Sequence, residues 1–256
     1  MVINKTCVLA LMGTMVAMAS SVHAQTGDWT DRGYIGVNLG AQLQSRTFTE
    51  TAQPVVYGEL ATVTVPHTIA NGLIFDVSGA MRVWENFGVG VGYSRFSSTE
   101  TATFTALIPN PAVFGAPRAT SGAISGVSHT EDAVHIQLLW MFPVSPALHV
   151  AAIIGPSFFT VGQDLVSGIT PTEGPPPFST VASTTVQTQS QSKTVTGLTI
   201  GTDVSYYFSQ RAGVGGFLRY SRLSGGNVDL VSPAGSGQVS VGAGGVQLGF
   251  GFRIRL

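Results

Sequence analysis

Read backwards from the C-terminal end, Leu256, Ile254, Phe252, Phe250, Leu248 and Val246 are apolar. Between them lie Arg255, Arg253, Gly251, Gly249 and Gln247. The period is two, that of an extended strand with one greasy face. Seven more segments repeat it, at residues 35–43, 73–83, 87–96, 133–142, 148–160, 197–208 and 212–222. In 87–96, for example, Phe87, Val89, Val91 and Tyr93 oppose Gly88, Gly90, Gly92 and Ser94. A soluble sheet would carry Lys, Glu and Thr on its polar face. Here that face is largely glycine, which suits a crowded interior. The segment 148–160 is the least regular, and Pro156 within it predicts a bulge or a strand end.

The connections choose the architecture. Short ones at 84–86, 143–147 and 209–211 alternate with long ones at about 45–72, 97–132, 161–196 and 223–241. That alternation predicts an eight-stranded antiparallel up-and-down transmembrane β-barrel with four long external loops. Trp84, Phe87, Trp140, Phe142, Tyr206 and Phe208 flank the short turns and form one predicted aromatic girdle. Tyr93, Phe96, Phe158 and Tyr220 lie towards the long loops and form the expected second one. Val239 and Val241 are out of phase with Val246, which places a register slip within 242–246.

Composition narrows the field further. Charged residues are 10% of the 256-residue chain, the net charge is −1 and glycines number 32. A soluble globule needs a more charged skin. Near-neutrality excludes a nucleic-acid binder working by phosphate neutralisation. No run of 18 apolar residues exists, so membrane-spanning helices are excluded. Residues 1–24 read as a secretory signal peptide: Lys5, the apolar stretch Cys7 to Ala19, then Val22-His23-Ala24 as a small-x-small cleavage site. The barrel domain is then 25–256, and Cys7, the single cysteine, leaves with the signal.

The alternating strands, the turn pattern and the apolar C-terminal strand resemble the small eight-stranded outer-membrane barrel superfamily, which includes the barrel domain of outer membrane protein A. Leu256 stands where that superfamily usually ends on an aromatic. The resemblance implies export to a Gram-negative-type outer membrane and insertion by the barrel-assembly machinery. Its expected surroundings are outer-membrane lipid and lipopolysaccharide. It implies no cofactor.

By parity Asp76, Arg82, Asp203, Arg219, Arg253 and Arg255 point into the lumen as a polar network. Buried charges must pair or meet water. Counting out from the turn at 209–211 sets Asp203 opposite Phe217, so Asp203 and Arg219 are expected to pair as diagonal neighbours. Such a network would plug the barrel; the alternative is a narrow channel for small solutes or apolar molecules. The Thr/Ser-rich stretch 180–196 still half alternates, which predicts strands rising above the membrane as a rim. Proline-stiffened tips are expected at 109–117 and 171–178.

Catalysis has little to stand on. Some barrels of the resembled superfamily modify lipid A with a Ser–His–acid set, and Ser128, His129 and Glu131 lie near an external strand end. Adjacent Ser128 and His129 would point to opposite faces of a strand, and no His-x-Ser occurs. His129 and His135 share a face but stand roughly 20 Å apart, too far for one metal. The reading is a non-enzymatic outer-membrane barrel with a structural or surface-interaction role.

Overall fold

A computed structural model describes residues 28–256 except residue 236. The signal segment 1–24 lies outside the described residues. The chain begins with β1 (Gly33–Gln42) and an excursion through β2 (Arg46–Ala52), β3 (Val55–Val56), β4 (Glu59–Leu60) and β5 (Thr62–Ile69). It then runs up and down through β6 (Gly72–Trp84), β7 (Phe87–Ile108), β8 (Arg118–Pro143), β9 (Leu148–Glu173), β10 (Val181–Tyr207), β11 (Ala212–Val231) and β12 (Gln238–Arg255). Strands β1 and β6 to β12 pair antiparallel with their chain neighbours, and β12 returns to β1 from Tyr34↔Arg255 to Gln42↔Gln247. This is a closed eight-stranded barrel without a sheet edge at its base.

The lower barrel turns its apolar residues outward. Val134, Ile136, Leu138, Trp140 and Phe142 are all exposed along β8. Eight steps at ~3.3 Å, tilted ~40°, make a belt about 20 Å tall, close to the ~25 Å of a transmembrane barrel. Trp84, Trp140, Phe142, Tyr206 and Phe208 are exposed at its short-turn end, with Phe87 half-buried beside them.

Above the belt the apolar residues change face. On β7, Val89, Val91 and Tyr93 look out, whereas Phe96, Ala102, Phe104, Ala106 and Ile108 are buried. Phe96 therefore belongs to the interior rather than to the upper girdle, because it falls on the even face, opposite Tyr93. Tyr93, Phe158 and Tyr220 do look outward. Ala102, Phe104, Ala106 and Ile108 pack with Val63 and Val65 of β5 and Val166 and Ile169 of β9, whereas Phe96 packs lower, with Ile74, Phe159 and Val161. Most of the stretches expected as long loops are thus strand: β7 and β8 turn only at 109–117, and β9 and β10 at 174–180. The first long connection folds as the β2–β5 hairpin, which joins the barrel wall through Thr62↔Leu107, Val63↔Ala106 and Thr64↔Thr105.

Pro156 neither ends nor bulges β9. Its partner Leu198 continues the ladder with β10. On the β8 side the pairing passes from His135↔Ser157 to Leu138↔Ile154 with the register kept. The missing N–H falls in that gap. Gly155 beside it is obligatory, since a Cβ there would overlap the Ile136 carbonyl oxygen. The slip expected in 242–246 is present: Gly244 and Gly245 have φ of +83° and +107°, and β11 shifts register against β12 between Arg222 and Asn227.

Candidate functional site: the lumenal column and the rim

In the barrel, four of the six charged lumenal candidates meet at mid-height. β12 supplies Arg253, whose Nη2 donates to Asp203 Oδ2 on β10 at 2.5 Å and whose Nη1 donates to Asn38 Oδ1 on β1 at 2.5 Å. Asn38 Nδ2 donates to Asp76 Oδ1 on β6 at 2.9 Å, and Arg219 Nη2 on β11 stands 2.9 Å from Asp76 Oδ2. The expected Asp203–Arg219 pairing is therefore replaced by Asp203–Arg253 and Asp76–Arg219. Asp203 does sit opposite Phe217. The Arg219 side chain instead reaches across the lumen over the Phe217 ring, 4.6 Å from its centroid, and finds a carboxylate on the far wall. Diagonal counting sees only neighbouring strands.

The column continues upward. Arg219 Nε donates to Gln247 Oε1 at 2.9 Å, Gln247 to Gln42 at 3.2 Å, and Gln42 to Glu131 Oε1 at 3.2 Å. Glu131 also accepts from Arg46 Nη1 at 2.7 Å and from the Gly244 N–H at 2.8 Å. His129 bridges Glu131 at 3.0 Å and Gln163 at 2.9 Å. A second cluster joins His135 to Ser94 and Ser157, Ser157 to Thr199, and Thr199 to Ser221. A void of about 10 Å³ beside Asp76 and Arg219 is the size of a single water.

The other two candidates, Arg82 and Arg255, lie at the short-turn mouth, away from the central cluster. Arg82 Nη1 donates to the Trp29 carbonyl at 2.5 Å, and Arg255 pairs with Asp31 at 2.9 Å while covering the Tyr207 ring. They hold the entering chain so that Trp29, 1% exposed, closes this end against Gly88.

The rim is held differently. His67 on β5 lies between Glu50 Oε2 at 3.2 Å and Glu100 Oε1 at 2.9 Å, with Phe48 stacked on its ring at 4.6 Å. Glu50 accepts the Val166 N–H and Glu100 the Thr68 N–H, so the first hairpin is tied to β7 and β9. At the tip Arg118 forms a bidentate pair with Glu173 and donates to the carbonyls of Pro109 and Phe178. Tyr57 donates to Glu173 at 2.9 Å. The Arg118 guanidinium holds the Glu173 carboxyl below the ordinary carboxylate range, and burial together with Glu173 raises the Tyr57 hydroxyl.

The alternation over 35–43 puts Asn38 and Gln42 on the face opposite Val37, Leu39 and Leu43, with no role attached to them. Their parity was the available signal. The Glu50–His67–Glu100 and Arg118–Glu173 clusters were missed, because they span segments read as loops. Ser128 and His129, successive residues of β8, do face opposite ways: His129 is buried in the column and Ser128 is half-exposed. The outer face of the rim is rich in threonine, with Thr64 between Thr51 and Thr105. Shallow hollows of about 420 and 510 Å³ lie over it.

No family model and no curated protein matches the chain. Solved structures do resemble it. Neisserial surface protein A is 11% identical, with 90% of this chain and 99% of that one covered at a TM-score of 0.45. Outer membrane protein OprG from Pseudomonas aeruginosa is 11% identical, with 88% and 97% covered at a TM-score of 0.46. Outer membrane protease OmpT from Escherichia coli is 10% identical, with 90% and 98% covered at a TM-score of 0.44. The closed ring of eight antiparallel strands, from β1 through β12 and back, is what establishes the chain as an all-β barrel.

Proposed function

We propose that the protein is an integral outer-membrane barrel that anchors a folded rim at the cell surface, with a structural or surface-interaction role and no catalysis. The observation carrying this reading is the filled lumen. The polar column runs from Asp203 to Gln163, and Trp29 closes the end below it. A conducting pore needs a continuous water path, and the ion pairs stand in its place. Above the membrane the strands continue as a packed body, so the ordered surface offered to the outside is large. Outer-membrane lipid and lipopolysaccharide would surround the belt, and the barrel-assembly machinery would insert it. The test is single-channel recording on the refolded chain in a planar bilayer, with a heat-modifiable gel shift to show folding. Folded protein without openings is the expected result. Steady openings would reject the plug and make Asp76, Asp203, Arg219 and Arg253 the selectivity residues.

A further inference from the structure

We propose that the upper edge of β10, residues 182–196, is a docking edge for the same edge of a second copy standing in a facing membrane, so that the protein joins membranes in trans. The inference rests on the membrane-anchored rim proposed above.

β10 is covered unequally. β9 lines one edge along nearly its whole length, from Val181↔Glu173 to Tyr206↔Leu148. β11 lines the other edge only from Gly197↔Leu223 downward. Above Gly197, among the described residues, no backbone pairing covers that edge, and the hydrogen bonds there run through β10 side chains: Lys193 Nζ donates to the Asp229 carbonyl at 3.3 Å, and the Thr196 and Ser224 hydroxyls lie 3.5 Å apart. Every second residue of such a strand turns its N–H and C=O to the open side. Fifteen residues at ~3.3 Å give about 50 Å of unused ladder.

Exposed edges are normally blunted by charge, proline, a bulge or a cover. This one holds a single charge, Lys193, and no proline. Of the two irregularities in the β9–β10 ladder, the one between Gln187↔Gly168 and Thr188↔Val166 puts its extra residue in β9, and the one between Val181↔Glu173 and Ser183↔Thr172 puts it at the very top of β10, so β10 is regular from Ser183 to Thr196. The edge is also complementary to itself. In an antiparallel register centred on Gln189, Gln189 meets its own copy, Gln187 meets Gln191 and Thr184 meets Thr194. Lys193 meets Thr185, so no like charges face each other.

The membrane then fixes the geometry. In every copy in one membrane β10 descends from the rim, so two neighbours could pair this edge only in parallel, the weaker arrangement. Antiparallel pairing turns one copy over and brings rim against rim. That is the arrangement of two membranes in contact.

The experiment uses refolded chain in two differently coloured vesicle populations, read by two-colour coincidence, with a heat-modifiable shift on every sample. Wild-type vesicles are expected to cluster. Gln187→Lys with Gln189→Lys sets lysines face to face at the centre and should lower clustering about tenfold. Gln187→Glu with Gln189→Glu should do the same. Mixing the Lys and Glu populations should restore clusters that contain both colours. Folded wild-type vesicles that stay dispersed overturn the proposal, and so do Lys vesicles that cluster like wild type or Lys and Glu vesicles that fail to mix. Chain that does not insert or shows no heat-modifiable fold overturns the anchored-rim reading itself.

Discussion

The same strands build two bodies with opposite insides. Below Tyr93, β7 is apolar outward, and the interior it lines is held by ion pairs such as Asp76–Arg219 and Asp203–Arg253. Above Phe96 it is apolar inward, and its outer face is Thr99, Thr101, Thr103 and Thr105. The solvent decides which. Lipid rewards an apolar outer face and offers a trapped polar group nothing, so the lower barrel must satisfy its own charges. Water rewards burial of Phe104 and Ile108 and solvates threonine at no cost, so the rim packs as an ordinary soluble core. On the anchored-rim reading, the level at which the phase inverts is the membrane surface.

That contrast can be broken from either side. The largest effect is expected from Arg253→Ala, which strands Asp203 and Asn38; barrel stability in a denaturant titration should fall by about 3–5 kcal/mol. Phe104→Ala should cost about 3–5 kcal/mol as well, but in the rim alone. It should hasten proteolysis of 97–132 and leave the heat-modifiable shift of the barrel in place. Val91→Arg, outward in the belt, should cost about 2–4 kcal/mol. Glu173→Gln should cost roughly 1 kcal/mol by releasing the tip. Because Glu173 is held below its ordinary value, its contribution is present above about pH 4.3 and lost as pH falls through the lowered value. Protease sensitivity of the tip should therefore rise on acidification in the wild type and not in Glu173→Gln. The smallest effect sharpens the comparison most. Thr103→Arg lies on the same strand and face as Val91, yet should change stability by less than about 0.5 kcal/mol.

The lower barrel was legible because one face is greasy for its whole height: Leu248 to Ile254 alternates without a break, and every even residue from Val134 to Phe142 is apolar. The rim was not, because its apolar residues move to the other face between Tyr93 and Phe96, and a period read from one phase simply stops there. Parity placed Asp76, Asp203, Arg219 and Arg253 in the lumen, since it depends on the strand alone. Which carboxylate each arginine takes depends on reach across the barrel, and Arg219 spans to β6 where the count along the β10–β11 turn had offered Asp203. Clusters such as Glu50–His67–Glu100 join three strands through tertiary contacts, which no local pattern announces.

The seam between β1 and β12 sets a clock on how the molecule is made. Asn38 and Arg253 touch although they are 215 positions apart in the chain. The Leu256 N–H is taken by the Gly33 carbonyl, and the Leu256 carbonyl by the Arg32 N–H. The first barrel strand must therefore wait, one edge open, until Leu256 has been delivered. Closing so long a loop comes late and slowly. Until then the arginine that bridges Asp203 and Asn38 is missing from the lumen, so the seam and the plug are completed in one event.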